Sequence, residues 1–198
     1  MTKTVLVPIT NGCEDIETVT IIDVLRRAGA EVTVASVEPS HGLQIVASSG
    51  TKIVADCAIK ECLDTVQQGF WDLIAIPGGL PGSEHLAASE ELDRLLREQV
   101  AEGRLYAAIC AAPAFVLASK GLLQDRAATC YPAYQQILEA REVNSESRVV
   151  VDGNCITSQG PGTALDFALE LVEQLLGVVK REEVAAPMVL TTSATAYY

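Results

Sequence analysis

A cysteine sits where an apolar run gives way to an alanine-rich one, in Ala107-Ala108-Ile109-Cys110-Ala111-Ala112-Pro113. A strand passing into a helix at a cysteine has the layout of a nucleophile elbow. There a tight turn tolerates only small neighbours and lifts the reactive atom out of the sheet. Ala108 and Ala112, two before and two after Cys110, supply those small neighbours. Free N–H groups and the positive dipole end of the following helix would lower the thiol pKa and enlarge the thiolate fraction. A core cysteine in an alanine-rich packing seam would show the same pattern, because alanines replace the glycines of the usual elbow.

Two further segments could complete such a site. In Pro77-Gly78-Gly79-Leu80-Pro81-Gly82, adjacent glycines allow close backbone approach and can aim an N–H at an oxyanion. A tight loop needing positive φ explains them equally, and Gly160-Pro161-Gly162 reads as structural in the same way. Asn11-Gly12-Cys13-Glu14-Asp15-Ile16-Glu17 opens a helix with three carboxylates, which the dipole of a first turn favours. Glu17 stands apart, because Ile16 and Val19 flank it on what reads as the apolar face. A buried carboxyl has a raised pKa, and its protonated form can donate to a thiolate or pass a proton on.

Other chemistries are excluded. A Cys–His–Glu triad of the glutamine-amidotransferase kind needs a histidine well after the nucleophile, yet His41 and His85 both precede Cys110 and sit in polar, loop-like surroundings. No dinucleotide or P-loop glycine motif occurs. The six cysteines, Cys13, Cys57, Cys62, Cys110, Cys130 and Cys155, form no CxxC pair. Structural zinc therefore lacks support, and five of the six read as buried small hydrophobes. With 26 acidic against 14 basic residues the net charge is −12, so a nucleic-acid backbone would be repelled. The longest uncharged apolar run, 105–119, contains Pro113 and falls short of the roughly 20 residues that span a membrane. No signal-peptide core follows Met1, and a cytoplasmic protein is expected.

The elements that would position these residues alternate. At 198 residues and 49% hydrophobic, the chain suits one domain, 1–198, whose last stretch 191–198 lacks periodicity. Strands are expected at 4–9, 31–37, 71–76 and 105–109, with one hairpin in a less regular stretch whose turns Gly42 and Gly50 mark and another across 149–157. Helices are expected at 14–28, 89–101 (Ser89 as N-cap), 112–119 and 163–176. In the first helix Ile16, Val19, Ile22 and Leu25 form the predicted buried face. Such alternation implies a mostly parallel sheet covered on both sides, with ligands beyond the carboxyl ends of its strands.

The segments Glu14-Asp15-Ile16-Glu17-Thr18-Val19, Leu25-Arg26-Arg27-Ala28-Gly29, Pro77-Gly78-Gly79, 107–113 and Thr157-Ser158-Gln159-Gly160-Pro161-Gly162-Thr163 resemble, in that order, the ThiJ/PfpI superfamily. They are most similar to its Parkinson-protein deglycase branch, which includes the bacterial YajL-like members. The resemblance implies a flavodoxin-like (class I glutamine amidotransferase-like) three-layer sandwich that forms homodimers. It implies Cys110 as a nucleophile that also oxidises to a sulfinate, and Glu17 as the protonated acid beside it. It further implies Gly79 and Ala111 as oxyanion-binding N–H donors, and Tyr131 and Gly78 as pocket residues. The implied activity is that of a cysteine-dependent deglycase and glutathione-independent glyoxalase. Such an enzyme acts on methylglyoxal and glyoxal or on glycated proteins and nucleotides, releases lactate or glycolate, and needs no metal or organic cofactor. The alternative is a non-enzymatic oxidative-stress sensor or redox-regulated chaperone. Where human-like members carry a histidine this chain has Tyr131, whose pKa of about 10 leaves proton transfer to Glu17 and water. Ala111 stands where the protease-like members have histidine, which argues against peptidase activity.

Overall fold

The computed structural model describes residues 2–38, 42–63 and 70–190. Its first half runs β1 (Thr4–Ile9), α1 (Asp15–Arg27), β2 (Glu31–Ser36), β3 (Gln44–Val46), β4 (Lys52–Val54), β5 (Cys57–Ala58), β6 (Leu73–Ile76), α2 (Gly82–Ala88) and α3 (Glu90–Ala101). There follow β7 (Leu105–Ile109), β8 (Ala127–Ala128), β9 (Glu142–Val143), β10 (Val149–Asp152), β11 (Cys155–Ser158), α4 (Ala164–Leu176) and α5 (Val178–Ala185). Seven strands form one sheet in the order β10-β11-β7-β6-β1-β2-β5. Among the described residues of this sheet, only the β10–β11 pairing is antiparallel. The expected 149–157 hairpin is this β10–β11 pair, turning at Gly153 with φ 62°.

Alternation along each strand divides the core. Val5, Val7 and Ile9 pack with Ile21 and Val24 of α1 and with Phe167 and Leu171 of α4. Leu6 faces the opposite layer, with Leu92 and Leu96 of α3 and with Val116 and Leu117. Residues pointing to opposite faces in turn are what a strand buried on both sides requires. The result is a flavodoxin-like α/β sandwich. From β1 the chain moves to β2 on one side, whereas β6 lies on the other side of β1. The carboxyl ends of β1 and β6 are therefore the switch in strand order, where such sheets open a crevice.

Two expectations need correction. In α1 the buried residues are Glu17, Thr18, Ile21, Val24 and Leu25, whereas Ile16 and Val19 are 56% and 49% exposed. The sheet sets the rotation of the helix, so the apolar stripe that meets the core is spaced 17/21/24/25 and a second apolar strip faces outward. The segment after Cys110 is also no simple α-helix. It makes a π-helical turn over Pro113–Leu117 and a 3₁₀ turn over Ala118–Lys120. Pro113 brings no N–H to the first turn, and wider bonding such as Ala118 N–H to the Pro113 carbonyl replaces the α ladder.

Ser89 caps α3 as expected, accepting from the Leu92 N–H at 3.2 Å. His85 is exposed as expected, though on α2 and not in a loop. His41 and the stretch 191–198 lie outside the described residues. Among the described residues no helix is long and apolar enough to cross a membrane.

Candidate active site

Three loops at the carboxyl ends of β1, β6 and β7 meet at the switch point. The β1–α1 and β6–α2 loops lie backbone against backbone, with the Glu14 N–H donating to the Gly78 carbonyl at 2.9 Å. Gly79 has φ 92°, and a Cβ there would fall 2.5 Å from both Glu14 N and Gly12 O. Gly78 is held for closeness alone. A Cβ on it would lie 2.6 Å from Cys110 Cβ and 2.9 Å from Glu17 Oε2. No other residue could stand between these two side chains and leave them together.

Cys110 occupies the left-handed region with φ 65°, an arrangement that costs about 1–3 kcal/mol in a residue other than glycine. Bonds on both sides hold it there. Its N–H donates to the Ser158 carbonyl at 3.0 Å, and its carbonyl accepts from the Tyr131 N–H at 2.8 Å. This is the strand-end bend of a nucleophile elbow, built with Ala108 and Ala112 in place of glycine. The residue keeps 8% of its surface exposed.

Glu17 reaches this bend from the first turn of α1. That turn is fixed by Glu14, whose carboxylate accepts the Glu17 N–H at 2.7 Å. The Glu17 side chain is fully buried. Oε2 accepts the Gly78 N–H at 2.8 Å, while Oε1 is buried without a conventional hydrogen-bond partner. The carboxyl interacts directly with the Cys110 thiol. Burial raises the pKa of Glu17 to about 7, with the Gly78 N–H pulling down and the neighbouring Glu14 charge pushing up.

The thiol departs from the sequence expectation. Burial, followed by the negative charge of Glu17, pushes Cys110 up to about 12. The N–H groups of Gly79 and Ala111 do point at the sulfur and do lower its pKa, yet they do not outweigh desolvation beside an anion. Two acids in contact share one negative charge. A proton on Glu17 converts the repelling carboxylate into a donor toward the sulfur, so a thiolate at Cys110 requires a protonated Glu17.

Tyr131, 42% exposed, forms an aromatic wall beside the bend. Its ring covers Gly160, where a Cβ would approach Tyr131 Cδ2 to 3.3 Å. It lies tilted at 45° to the ring of Tyr134, centroids 5.8 Å apart, and Tyr134 meets Phe115 edge-on at 5.0 Å. The fold thus gathers Glu17, Gly78, Gly79, Cys110, Ala111 and Tyr131. Sequence reasoning missed Ser158, whose carbonyl anchors Cys110, and Gly12, against which Gly79 packs. A lone strand-end serine carries no signal for a main-chain role. Gly12 did carry one, in its position within the loop that follows the first strand. Among the described residues, no cluster of three or more His, Cys, Asp or Glu could hold a metal ion.

Residues 3–174 match the model of the DJ-1/PfpI family. The chain belongs to the DJ-1/PfpI family. It is similar to protein DJ-1 homolog B of Arabidopsis thaliana, at 48% identity over 96% of this chain and 42% of that protein. The chain thus spans about half the length of its Arabidopsis relatives. It is also 37% identical to a Caenorhabditis elegans protein named a glutathione-independent glyoxalase, over 89% of this chain and 90% of that one. Among solved structures it resembles oxidized Toxoplasma gondii DJ-1, with TM-score 0.88 and 42% identity over 95% and 98% of the two chains.

The Glu17 environment has a consequence for stability. In the unfolded chain this carboxyl ionises near 4.5, and folding lifts it to about 7. Between those values the folded state holds a proton that the unfolded state lacks, so stability falls as pH rises through the window, by up to roughly 3 kcal/mol. Above it the contribution is constant. Urea unfolding at stepped pH will show this decline in the wild type, and Glu17→Gln will lose most of it.

Proposed function

We propose that the chain is a cysteine-dependent, glutathione-independent glyoxalase and deglycase with Cys110 as its nucleophile. One observation carries the reading: a fully buried glutamate, one oxygen of which accepts the Gly78 N–H, interacts with a strained strand-end cysteine. The C. elegans relative's name supports the glyoxalase half of the proposal. The deglycase half follows from the same chemistry, because aldehydes and their hemithioacetal or aminocarbinol adducts offer the same electrophilic carbon.

The Cys110 thiol passes its proton to the Glu17 carboxylate as the sulfur adds to the aldehyde carbon of methylglyoxal, forming a hemithioacetal. The N–H groups of Gly79 and Ala111, already directed at the sulfur, stabilise the oxyanion that develops beside it. Glu17 gives and retakes the proton as hydrogen moves from the aldehyde carbon to the neighbouring carbonyl carbon, leaving a thioester. Water then cleaves the thioester, releasing lactate and restoring the thiol. Glyoxal gives glycolate by the same steps. Tyr131 and Gly78 border the space in which the substrate would lie.

Methylglyoxal consumption with lactate release will be abolished in Cys110→Ala. It will fall about 10²–10⁴-fold in Glu17→Gln, the range general acid–base groups contribute, with circular dichroism unchanged in both. Persistent turnover in Cys110→Ala contradicts the proposal. A second reading, oxidative sensing, rests on the same donors: Gly79, Ala111 and protonated Glu17 would also hold the oxygens of a sulfinate. Absent turnover, together with selective addition of two oxygens to Cys110 by peroxide, would favour it.

The outward strip of α1 suits a second copy of this chain. Val19 and Ile22 line a cavity of about 200 Å³ with Ile53 and Val54, rimmed by Asp23, Arg26 and Asp56, and Ile16 (56%) and Val54 (65%) are exposed. An exposed apolar strip flanked by charges of both signs can meet its own copy across a two-fold axis. Sedimentation will give a dimer for the wild type and a shift to monomer for Val19→Arg; a monomeric wild type overturns the assignment.

A further inference from the structure

We propose that Cys57 and Cys62 form a second redox site, a reversible dithiol–disulfide pair whose oxidant is a low-molecular-weight disulfide of the glutathione class. Cys57 opens β5, the edge strand of the sheet, paired only with β2 in the central sheet. The chain then winds into a 3₁₀ turn over Ile59–Cys62, which the Glu61 carboxylate fastens by accepting the Ala58 N–H at 3.0 Å. That turn brings Cys62 back onto its starting point, with the two Sγ atoms 3.7 Å apart. The sulfurs are in van der Waals contact, and a covalent S–S bond, about 2 Å long, requires them to close by about 1.7 Å.

The two thiols differ in access. Cys57 is partly exposed at the sheet edge, whereas Cys62 is 3% exposed. This asymmetry gives each a role. The Cys57 thiolate attacks one sulfur of the oxidant, whose S–S bond breaks as the Cys57 mixed disulfide forms and one thiolate leaves. Cys62 then gives its proton to water and attacks Cys57 Sγ, displacing the second thiolate. The protein loses two electrons and two protons, and the oxidant leaves as two thiols. A dithiol reductant runs the steps backwards. Burial, with the Glu61 and Asp56 charges, raises the Cys57 thiol, so attack is slow near neutrality and the pair registers sustained oxidation.

The loop that such a bond closes is short. It removes less freedom from the unfolded chain than a long-range bond would, which suits a reversible mark better than a staple. The pair is independent of the Cys110 reading, since neither sulfur belongs to that site.

Trypsin cleaves after Lys60, between the two cysteines, so peptides 53–60 and 61–94 stay joined only through this disulfide. The full chain is equilibrated in glutathione buffers of rising oxidised fraction at mildly alkaline pH, quenched with N-ethylmaleimide, digested and weighed. The joined pair, lighter by two hydrogens than its parts, will accumulate with oxidation and separate on dithiothreitol treatment. Cys62→Ser will instead collect the glutathione mixed disulfide on Cys57, and Cys57→Ser will lose the joined product. Glutathione stopping at Cys57 in the wild type, or both thiols alkylated at every ratio, overturns the proposal. Cys110 is read separately, on peptide 105–120.

Discussion

Two acidic groups pressed together where only one negative charge is tolerated govern this site. Glu17 is fully buried and Cys110 nearly so; burial raises the pKa of both, and the Glu17 charge raises the thiol further, while the thiol's hydrogen bond eases ionisation of Glu17. Water would separate or solvate such a pair, but here the neighbouring atoms are backbone and alanine. The cost is offset by three N–H groups: Gly78 on the carboxyl, and Gly79 and Ala111 on the sulfur. Their placement depends on backbone, so the chemistry depends on how three loops are packed more than on any further side chain.

That packing explains why small residues crowd the strand ends. Gly78 and Gly79 fill gaps in which a Cβ would collide with backbone or with the reacting groups. The positive φ of Cys110 is sustained from β11 and from the segment leading to Tyr131, through hydrogen bonds at either end of the residue. Strain at one residue is thus held by a sheet formed by distant parts of the chain. The parallel order β7-β6-β1 makes it possible, because it delivers three carboxyl ends to one edge of the molecule.

Much of this was legible from the residues. Apolar strands ending in glycine or cysteine located the loops, and Ser89 marked the start of α3. Glu17 was singled out for a reason the structure reverses. The flanking Ile16 and Val19 suggested an apolar face, yet they point outward and Glu17 lies on the buried stripe with Ile21, Val24 and Leu25. A helix with apolar residues on two faces has no unique rotation until the sheet supplies one. The thiol was misjudged for a related reason. Spacing reveals the donors after Cys110 but not the desolvation or the carboxyl opposite. Cys57 and Cys62 looked like separate small hydrophobes, since five-residue spacing brings sulfurs together only when the intervening chain makes a tight turn.

The protonation of Glu17 is the point on which the account turns, and it can be observed directly. Glutamate labelled with ¹³C at the side-chain carboxyl, assigned through Glu17→Gln, reports ionisation as a shift in its resonance. A midpoint near 7, displaced when Cys110 is alkylated, is the predicted result. A midpoint near 4.5, indifferent to the state of Cys110, would mean that the carboxyl is an ordinary anion and that the paired acid described here does not exist.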